Sequence, residues 1–322
     1  MTNKLFHIII NPVGASGATN KLFQKVEPYL QKENIQYVVH TSSKEESISE
    51  IVTKLTNTNE DTYLVVIGGD GSLNEAVNGI VSFEHAYFGF IPCGSGNDYA
   101  RSLGLTNNLF DLIKLIFKGE VQRLCDIGEI TIHDFTDVFR EMPSLKDNKF
   151  VRRFNVSAGI GFDAEICQKV HVSKVKPFLN KIHLGKLAYI IEAIRVIFST
   201  KMVPVEITLD NDSKLYDKCL FAAVMNEPYE GGGFKFCPKA NGEDEVLDIC
   251  YADHLSKFDF FRIFPYAYSG SHVKFKGVYT SQFTNADIQT KVPLWVHTDG
   301  EVYCKSTHIS LKLLDEKLKL IQ

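Results

Sequence analysis

Three short apolar runs each end in a glycine-rich turn, and this repeat limits the possible folds more than any other feature of the chain. Leu5 to Ile10 runs into Asn11-Pro12-Val13-Gly14-Ala15-Ser16-Gly17, Tyr63 to Ile67 into Gly68-Gly69-Asp70-Gly71-Ser72, and Tyr87 to Ile91 into Pro92-Cys93-Gly94-Ser95-Gly96-Asn97-Asp98. Continuous apolar runs of this length read as strands buried on both faces. Ala18 to Lys32, Lys44 to Leu55 and Leu73 to Ile80 carry helical spacing, and Ile35 to His40 reads as a further strand. Strand and helix therefore alternate through the first third of the chain. That order predicts an open parallel sheet with helices on both faces.

Beyond Asp126 the texture changes. Asp126 to Ile132, Arg152 to Ala158, Val203 to Leu209, Leu220 to Met225, Leu247 to Tyr251, Val273 to Tyr279, Asp287 to Thr290 and Leu294 to His297 read as strands, with one long helical stretch from Leu184 to Phe198. Helices between strands are rare here, so this half is expected to be antiparallel, as two packed sheets. A chain of 322 residues suits two domains. The expected division is residues 1–128 and 129–308, with residues 309–322 open to completing the first. His133 to Lys149 reads as a long hairpin loop or surface insertion.

The balance of 35 basic against 39 acidic residues, formal charge -4, excludes a chain coated for nucleic acid. Seven scattered cysteines without a CxxC pair read as reduced, buried thiols of a cytosolic protein. The N-terminus enters a strand with no signal-peptide pattern, and no apolar run approaches a membrane span.

Glycine turns at the carboxyl ends of parallel strands are where such sheets bind ligands, and their exposed N–H groups suit phosphate oxygens. There is no Walker A sequence, and Gly14-Ala15-Ser16-Gly17 fits the dinucleotide fingerprint poorly. Asp70 lies inside its glycine turn. A carboxylate there repels phosphate unless a cation lies between them, which points to Mg²⁺ with a nucleotide. Asp98 and Asp126 are two more acids after strand-like runs; each reads either as a cleft carboxylate or as a helix or turn cap. The chemistry these groups suit is phosphoryl transfer to a hydroxyl.

Gly68-Gly69-Asp70-Gly71-Ser72-Leu73-Asn74-Glu75, Pro92-Cys93-Gly94-Ser95-Gly96-Asn97-Asp98-Tyr99-Ala100-Arg101 and Asn11-Pro12 with Ser16-Gly17 resemble the motifs of the diacylglycerol-kinase-like lipid kinases, which include soluble bacterial diacylglycerol kinases, YegS-like lipid kinases and sphingosine kinases. The Gly-Gly-Asp-Gly core alone also fits NAD kinases and phosphofructokinases. Ser157 to Ala164, Gly185 to Tyr189, Gly231-Gly232-Gly233 with Pro238 and Ala240, and Asp299-Gly300-Glu301 extend the resemblance, in order, over nearly the whole chain. It implies an N-terminal Rossmann-like ATP-binding α/β domain with a parallel sheet, a C-terminal antiparallel β-sandwich, and an active site between them.

By this resemblance, Asn11, Pro12, Ser16, Gly17, Thr41, Gly68 to Glu75 (including Gly71, Ser72, Leu73 and Asn74) and Gly94, Ser95, Gly96 and Asn97 correspond to the ATP-contacting segments. Asp70, Asp98 and Asp126 correspond to the network that holds catalytic Mg²⁺, and Asp299 and Glu301 to the pair that supplies the catalytic base. A second, structural Mg²⁺ would take Asn241, Asp244 and Val246, in a loop that reads Glu243-Asp244-Glu245 where the family has Asp-Asp-Gly. Glu245 then occupies a position suited to positive φ. The implied substrate is a lipid alcohol, diacylglycerol or a related glycerolipid, met by a cytoplasmic enzyme touching the inner face of the cytoplasmic membrane. Dimers occur in the family, so a homodimer is implied too. Lys169, His171, Lys174, Lys176, Phe178 and Lys181 read either as a membrane-facing strip or as a solvated face. Phe258, Phe260, Phe261, Phe264 and Tyr266 are expected mostly in the core. A small-alcohol or NAD kinase, or a non-catalytic nucleotide- or lipid-binding protein, are the alternative readings.

Overall fold

The computed structural model describes residues 4–12, 14–140, 142, 145–172 and 194–322. The chain separates into two units, residues 1–127 with 315–322, and residues 128–314.

In the first unit, β1 (Leu5–Ile10), β2 (Gln36–Thr41), β3 (Thr62–Gly68) and β4 (Ala86–Pro92) are parallel neighbours in the order β2-β1-β3-β4. The central β3 and β4 are buried almost throughout, whereas β2 at the edge is largely exposed. The helices α1 (Ala18–Lys32), α2 (Ile48–Thr56), α3 (Asp70–Gly79), α4 (Asp98–Ser102) and α5 (Leu109–Ile116) follow the strands. Ser47 caps α2 through a capping box with Glu50, which places the helix start at Ile48, four residues after the expected Lys44. Two features depart from the sequence reading. The order 2-1-3-4 is not the 3-2-1-4 of the Rossmann arrangement. The sheet is also mixed: β5 (Arg123–Cys125) runs antiparallel at its far edge, joined through β16 (Leu318–Leu320), which is parallel to β4. The returning segment starts at Asp315, because residues 309–313 belong to a long strand of the second unit.

The second unit is antiparallel, as expected, with its strands hydrogen-bonded in one continuous order. Its strands are β6 (Gly128–Ile132), β7 (Leu145–Lys146), β8 (Lys149–Phe154), β9 (Ser157–Gly161), β10 (Val203–Leu209), β11 (Asp212–Met225), β12 (Leu247–Asp253), β13 (Val278–Phe283), β14 (Asn285–Thr298) and β15 (Glu301–Leu313). The order is β13-β12-β11-β10-β14-β15-β6-β8-β7, and β9 pairs with both β11 and β14 where β10 has ended. The two runs expected at 287–290 and 294–297 are one strand, β14, whose register with β15 shifts between Gln289 and Leu294, around Pro293. The run expected at Val273 starts instead as a 3₁₀ turn, and its strand begins at Val278.

One apolar cluster packs Ile130, Phe150, Ile160, Ile288, Val296 and Ile309 on one side of this sheet. The other packs Phe162, Phe221, Phe236, Phe260 and Phe264 against α6 (Phe162–Val172) and α7 (Lys257–Ile263). Sequence periodicity did not indicate α6. Phe260 and Phe264 are core, as expected, but Phe258, Phe261 and Tyr266 are exposed. Residues 194–199 are helical; the rest of the expected helix from Leu184 lies outside the described residues, as do Lys174, Lys176, Phe178 and Lys181. Among the described residues, no helix is long and apolar enough to cross a membrane. No cysteine is in a disulfide, and all but the half-buried Cys93 are buried.

Candidate active site

The parallel sheet brings the predicted nucleotide segments to one edge. Ile10 pairs with Thr41, Ile67 with both Ile10 and Ile91, and Gly68 with Pro92. Thr41, the Asn11–Gly17 turn, the Gly68–Ser72 turn and the Pro92–Asn97 turn therefore sit side by side at the carboxyl ends of β2, β1, β3 and β4. This edge includes the point where strand order reverses, between β1 and β3, where open α/β sheets bind ligands. Thr41 and Ser95 are exposed there.

The Gly68–Ser72 and Pro92–Asn97 turns interlock through glycine. A Cβ on Gly94 would sit 2.8 Å from the Gly69 Cα, closer than side chains pack. Asp70 reaches across this contact: its carboxylate accepts the Asp98 N–H at 3.2 Å and the Tyr99 N–H at 3.3 Å, satisfying orphan donors at the start of α4. A Cβ on Gly96 would lie 3.1 Å from Asp70 Oδ2 and 3.4 Å from Asp98 Oδ2, so both carboxylates face that glycine. Arg101 Nη1 donates to Asp98 Oδ1 at 3.1 Å and Nη2 to the Gly96 carbonyl at 3.3 Å, fixing the turn. The donor set around Gly96 is carboxylate oxygen, which suits a hard divalent cation.

Other predicted residues have different surroundings. Asp126 is 1 % exposed and is ion-paired with Lys317, the residue before β16. That pairing ties together the last two strands of the sheet. Leu73 and Asn74 are fully buried in α3. Asn11 Oδ1 accepts the Gly14 N–H, and Thr19 Oγ1 donates to the Asn11 and Gly14 carbonyls, shaping the first turn. Gly17 caps α1 with φ 81°; the Ser16 side chain is outside the described part. In the second unit, the Asn241 carbonyl accepts the Glu243 and Asp244 N–H groups, and Glu245 has φ 63°, as the missing glycine implied.

Asp299 and Gly300 form the turn between β14 and β15, with φ 49° and 79°. The Asp299 carboxylate accepts the backbone N–H groups of Asn155, Val156 and Ser157 at 3.0, 2.8 and 3.0 Å, and the Asn155 side-chain amide at 3.4 Å. The Val156 carbonyl in turn accepts the N–H groups of Asn226 and Glu227, and the Asn226 amide donates to the Asn155 carbonyl. This is why the strand expected over 152–158 breaks into β8 and β9: its backbone groups at 155–157 are directed to Asp299 and Asn226. Glu301 lies one residue past the turn, ion-paired with Arg140 and 3.7 Å from His171 Nε2.

A group missed from the sequence supports this turn. His297, fully buried, holds Nε2 at 3.0 Å from Asp163 Oδ2 and 3.4 Å from Glu230 Oε1. Its Nδ1 accepts the Gly300 N–H at 3.2 Å. Burial drives the imidazole toward neutrality, but the Glu230 and Asp163 carboxylates outweigh it and raise its pKa to about 9. Charging the ring sets a second proton against the Gly300 N–H, so protonation and that hydrogen bond compete. A metal-bound imidazole donates its far N–H to an acceptor; Nδ1 here meets a donor, so the cluster suits support of the turn and not a cation. A Cβ on Gly159 would fall 1.8 Å from Asp163 Oδ2, which explains a glycine there. Each member sits in or beside a motif seen in the sequence, at Gly161-Phe162-Asp163, Glu230-Gly231 and His297-Thr298-Asp299. Position next to a motif was the only available signal.

The sequence model of the diacylglycerol kinase catalytic domain matches residues 6–130, and that of the YegS C-terminal NAD kinase beta sandwich-like domain matches residues 156–322. The chain belongs to the diacylglycerol kinase and YegS-like lipid kinase family. Its relatives include the Bacillus subtilis protein named "Putative lipid kinase YtlR", 25% identical over 301 residues (91% of this chain, 92% of the relative), and a diacylglycerol kinase of Mycobacterium tuberculosis, 24% identical over 297 residues (92% and 88%). A Bacillus anthracis crystal structure described as a "putative diacylglycerol kinase" shares the fold, with TM-score 0.74 and 22% identity over 100% of this chain and 98% of that one. The mixed α/β unit and the antiparallel unit are thus the two domains of this kinase family.

Proposed function

We propose that the protein is an ATP- and Mg²⁺-dependent kinase that transfers the γ-phosphoryl group to a lipid hydroxyl, with diacylglycerol or a related glycerolipid as acceptor. The observation that carries this reading is the line of Thr41, the three glycine turns and Ser95 along one sheet edge, with Asp70 and Asp98 facing Gly96. Backbone N–H groups of those turns bind the phosphates. Asp70 and Asp98 hold Mg²⁺, which when bound neutralises charge on the β- and γ-phosphoryl oxygens. Asp126 supports the sheet through Lys317 and acts on the metal only indirectly.

Of the late acidic pair, Asp299 already accepts four donors and acts by holding its turn. Glu301 is the acid assigned to the proton: the acceptor hydroxyl attacks phosphorus, its proton passes to Glu301, and ADP leaves. The acceptor is met at the inner face of the cytoplasmic membrane by peripheral contact.

The test incubates purified protein with ATP, Mg²⁺ and detergent-dispersed diacylglycerol, phosphatidylglycerol or a sphingoid base, with NAD and glycerol as soluble acceptors, and reads products by mass spectrometry. A phosphorylated lipid lost in Glu301→Gln supports the reading. Phosphorylation of NAD or glycerol without a lipid product refutes the lipid acceptor, and binding of ATP with no turnover of any acceptor favours a non-catalytic role.

A further inference from the structure

On the outer face of the second unit, away from its apolar cluster, three strands bring two histidines and an aspartate together. Ile132 and Ile309 are paired and point into the core, so His133 and His308 lie opposite one another on the other face. Asp287 is paired with Ser310 on that face. The imidazole rings stack at 4.0 Å and 11°. His133 Nε2 lies 2.6 Å from Ser310 Oγ, His308 Nε2 lies 2.7 Å from Asp287 Oδ2, and Ser310 Oγ donates to the same Oδ2 at 2.8 Å. The two Nε2 atoms thus meet adjacent oxygens, Ser310 Oγ and Asp287 Oδ2, and one donor atom from each of the three residues falls within 4.8 Å of the others.

We infer that His133, His308 and Asp287 form a binding site for a borderline divalent transition-metal ion of the zinc type. Two imidazole nitrogens and one carboxylate oxygen suit Zn²⁺, Co²⁺ or Ni²⁺, whereas Mg²⁺ prefers an all-oxygen shell. Bonds of about 2.1 Å set tetrahedral ligand atoms about 3.4 Å apart, so rotation of the half-exposed imidazoles out of their stack closes the site without moving the strands.

The scaffold is already ordered. The His133 N–H donates to the His308 carbonyl, and Asp134 accepts the Thr307 and His308 N–H groups at 3.0 Å each, locking both backbones in register. Gln289 Nε2 donates to Asp287 Oδ1 at 2.8 Å, leaving Oδ2 toward the imidazoles, the outer partner that metal-bound carboxylates have. Ser310 or a water completes the shell. The ion would pin β14 and β15 to the segment after β6.

The experiment is calorimetric titration of the full chain with ZnCl₂ in millimolar Mg²⁺, which occupies hard oxygen sites. One saturable site per chain is expected. His308→Gln or His133→Gln should weaken it by about a hundredfold and Gln289→Leu by about tenfold, while His254→Gln, at a histidine elsewhere on the surface, leaves it unchanged. Imidazole NMR of the unmutated protein gives a second readout free of folding effects: of ten histidines, only the rings of His133 and His308 should shift with Zn²⁺. No saturable binding, equal affinity in His308→Gln and His133→Gln, or shifts confined to other imidazoles overturns the assignment.

Discussion

Replacing Asp299 by Asn is isosteric, yet the surrounding donors make it a severe change. The native carboxylate accepts three backbone N–H groups and one amide, two on each oxygen. An Asn oxygen at the Oδ1 position keeps the Val156 and Ser157 bonds but without their charge. Its NH₂ then faces the Asn155 N–H, donor against donor. A hydrogen bond to a charged group is worth about 1.5–3 kcal/mol net and a neutral one about 1. One charged backbone bond is lost and two are weakened. Water reaches this half-buried turn and returns part of the cost, leaving a destabilisation of about 2–4 kcal/mol. For a unit of this size that lowers the thermal midpoint by roughly 4–16 °C.

Asp299→Ala removes the acceptors without the donor clash and admits water, so it should be no worse than Asn. The assay is thermal unfolding of the three proteins, with amide hydrogen exchange at Val156 and Ser157 as a local readout. A midpoint for Asp299→Asn equal to the unmutated protein, with unchanged exchange at 156 and 157, refutes the claim that this carboxylate staples the β8–β9 break. Lost activity in Asp299→Asn then has to be compared with Glu301→Gln, which breaks no such turn and should lose turnover while keeping its midpoint.

Other consequences can be checked more briefly. Gly159→Ala drives a methyl into Asp163 and His297, and should destabilise by about 3 kcal/mol through loss of the buried charged pair; an unchanged urea midpoint would show that the cluster rearranges freely. Lys317→Met leaves Asp126 buried without its ion-pair partner and should lower stability by about 3–5 kcal/mol, with part recovered by adding Asp126→Asn; a double mutant worse than the single refutes this pairing. Burial holds the His272 imidazole at a pKa of about 4, against the opposing pull of its hydrogen bond to the Phe236 carbonyl. The unfolded chain takes up that proton near pH 6.5 and the native one does not, so stability falls as pH drops from 6.5 to 4, by up to about 3 kcal/mol. His272→Leu should flatten denaturant midpoints over this window, and an identical slope in the variant would remove His272 as the cause.

Much was legible in the chain order alone. A run such as Thr62–Gly68 is too apolar and too β-branched for any place but the middle of a sheet, and a glycine turn after it can only be followed by a helix on one face. The segments that carry the nucleotide reading were therefore visible as motifs, because their function depends on backbone conformation fixed within a few residues. Sheet order, the antiparallel β5 and the return of residues 315–322 were not visible, since pairing between distant strands leaves no local periodicity.

The same division runs through the site. Asp70, Asp98, Asp299 and Glu301 stood out because each lies close to a glycine in a motif. Their partners did not. Asp126 reads as a cleft acid until Lys317, nearly two hundred residues later, is seen against it. The break at Asn155 and Val156 depends on a carboxylate from 299 and an amide from 226. The imidazoles of His297, His133 and His308 acquire their roles only through neighbours on other strands. Local conformation and alternation of burial are properties of adjacent residues, so the sequence by itself determined most of the first unit's elements and the motif turns. Charge pairing and hydrogen bonding are set by distance in space, so only the tertiary structure decided which group each acid meets.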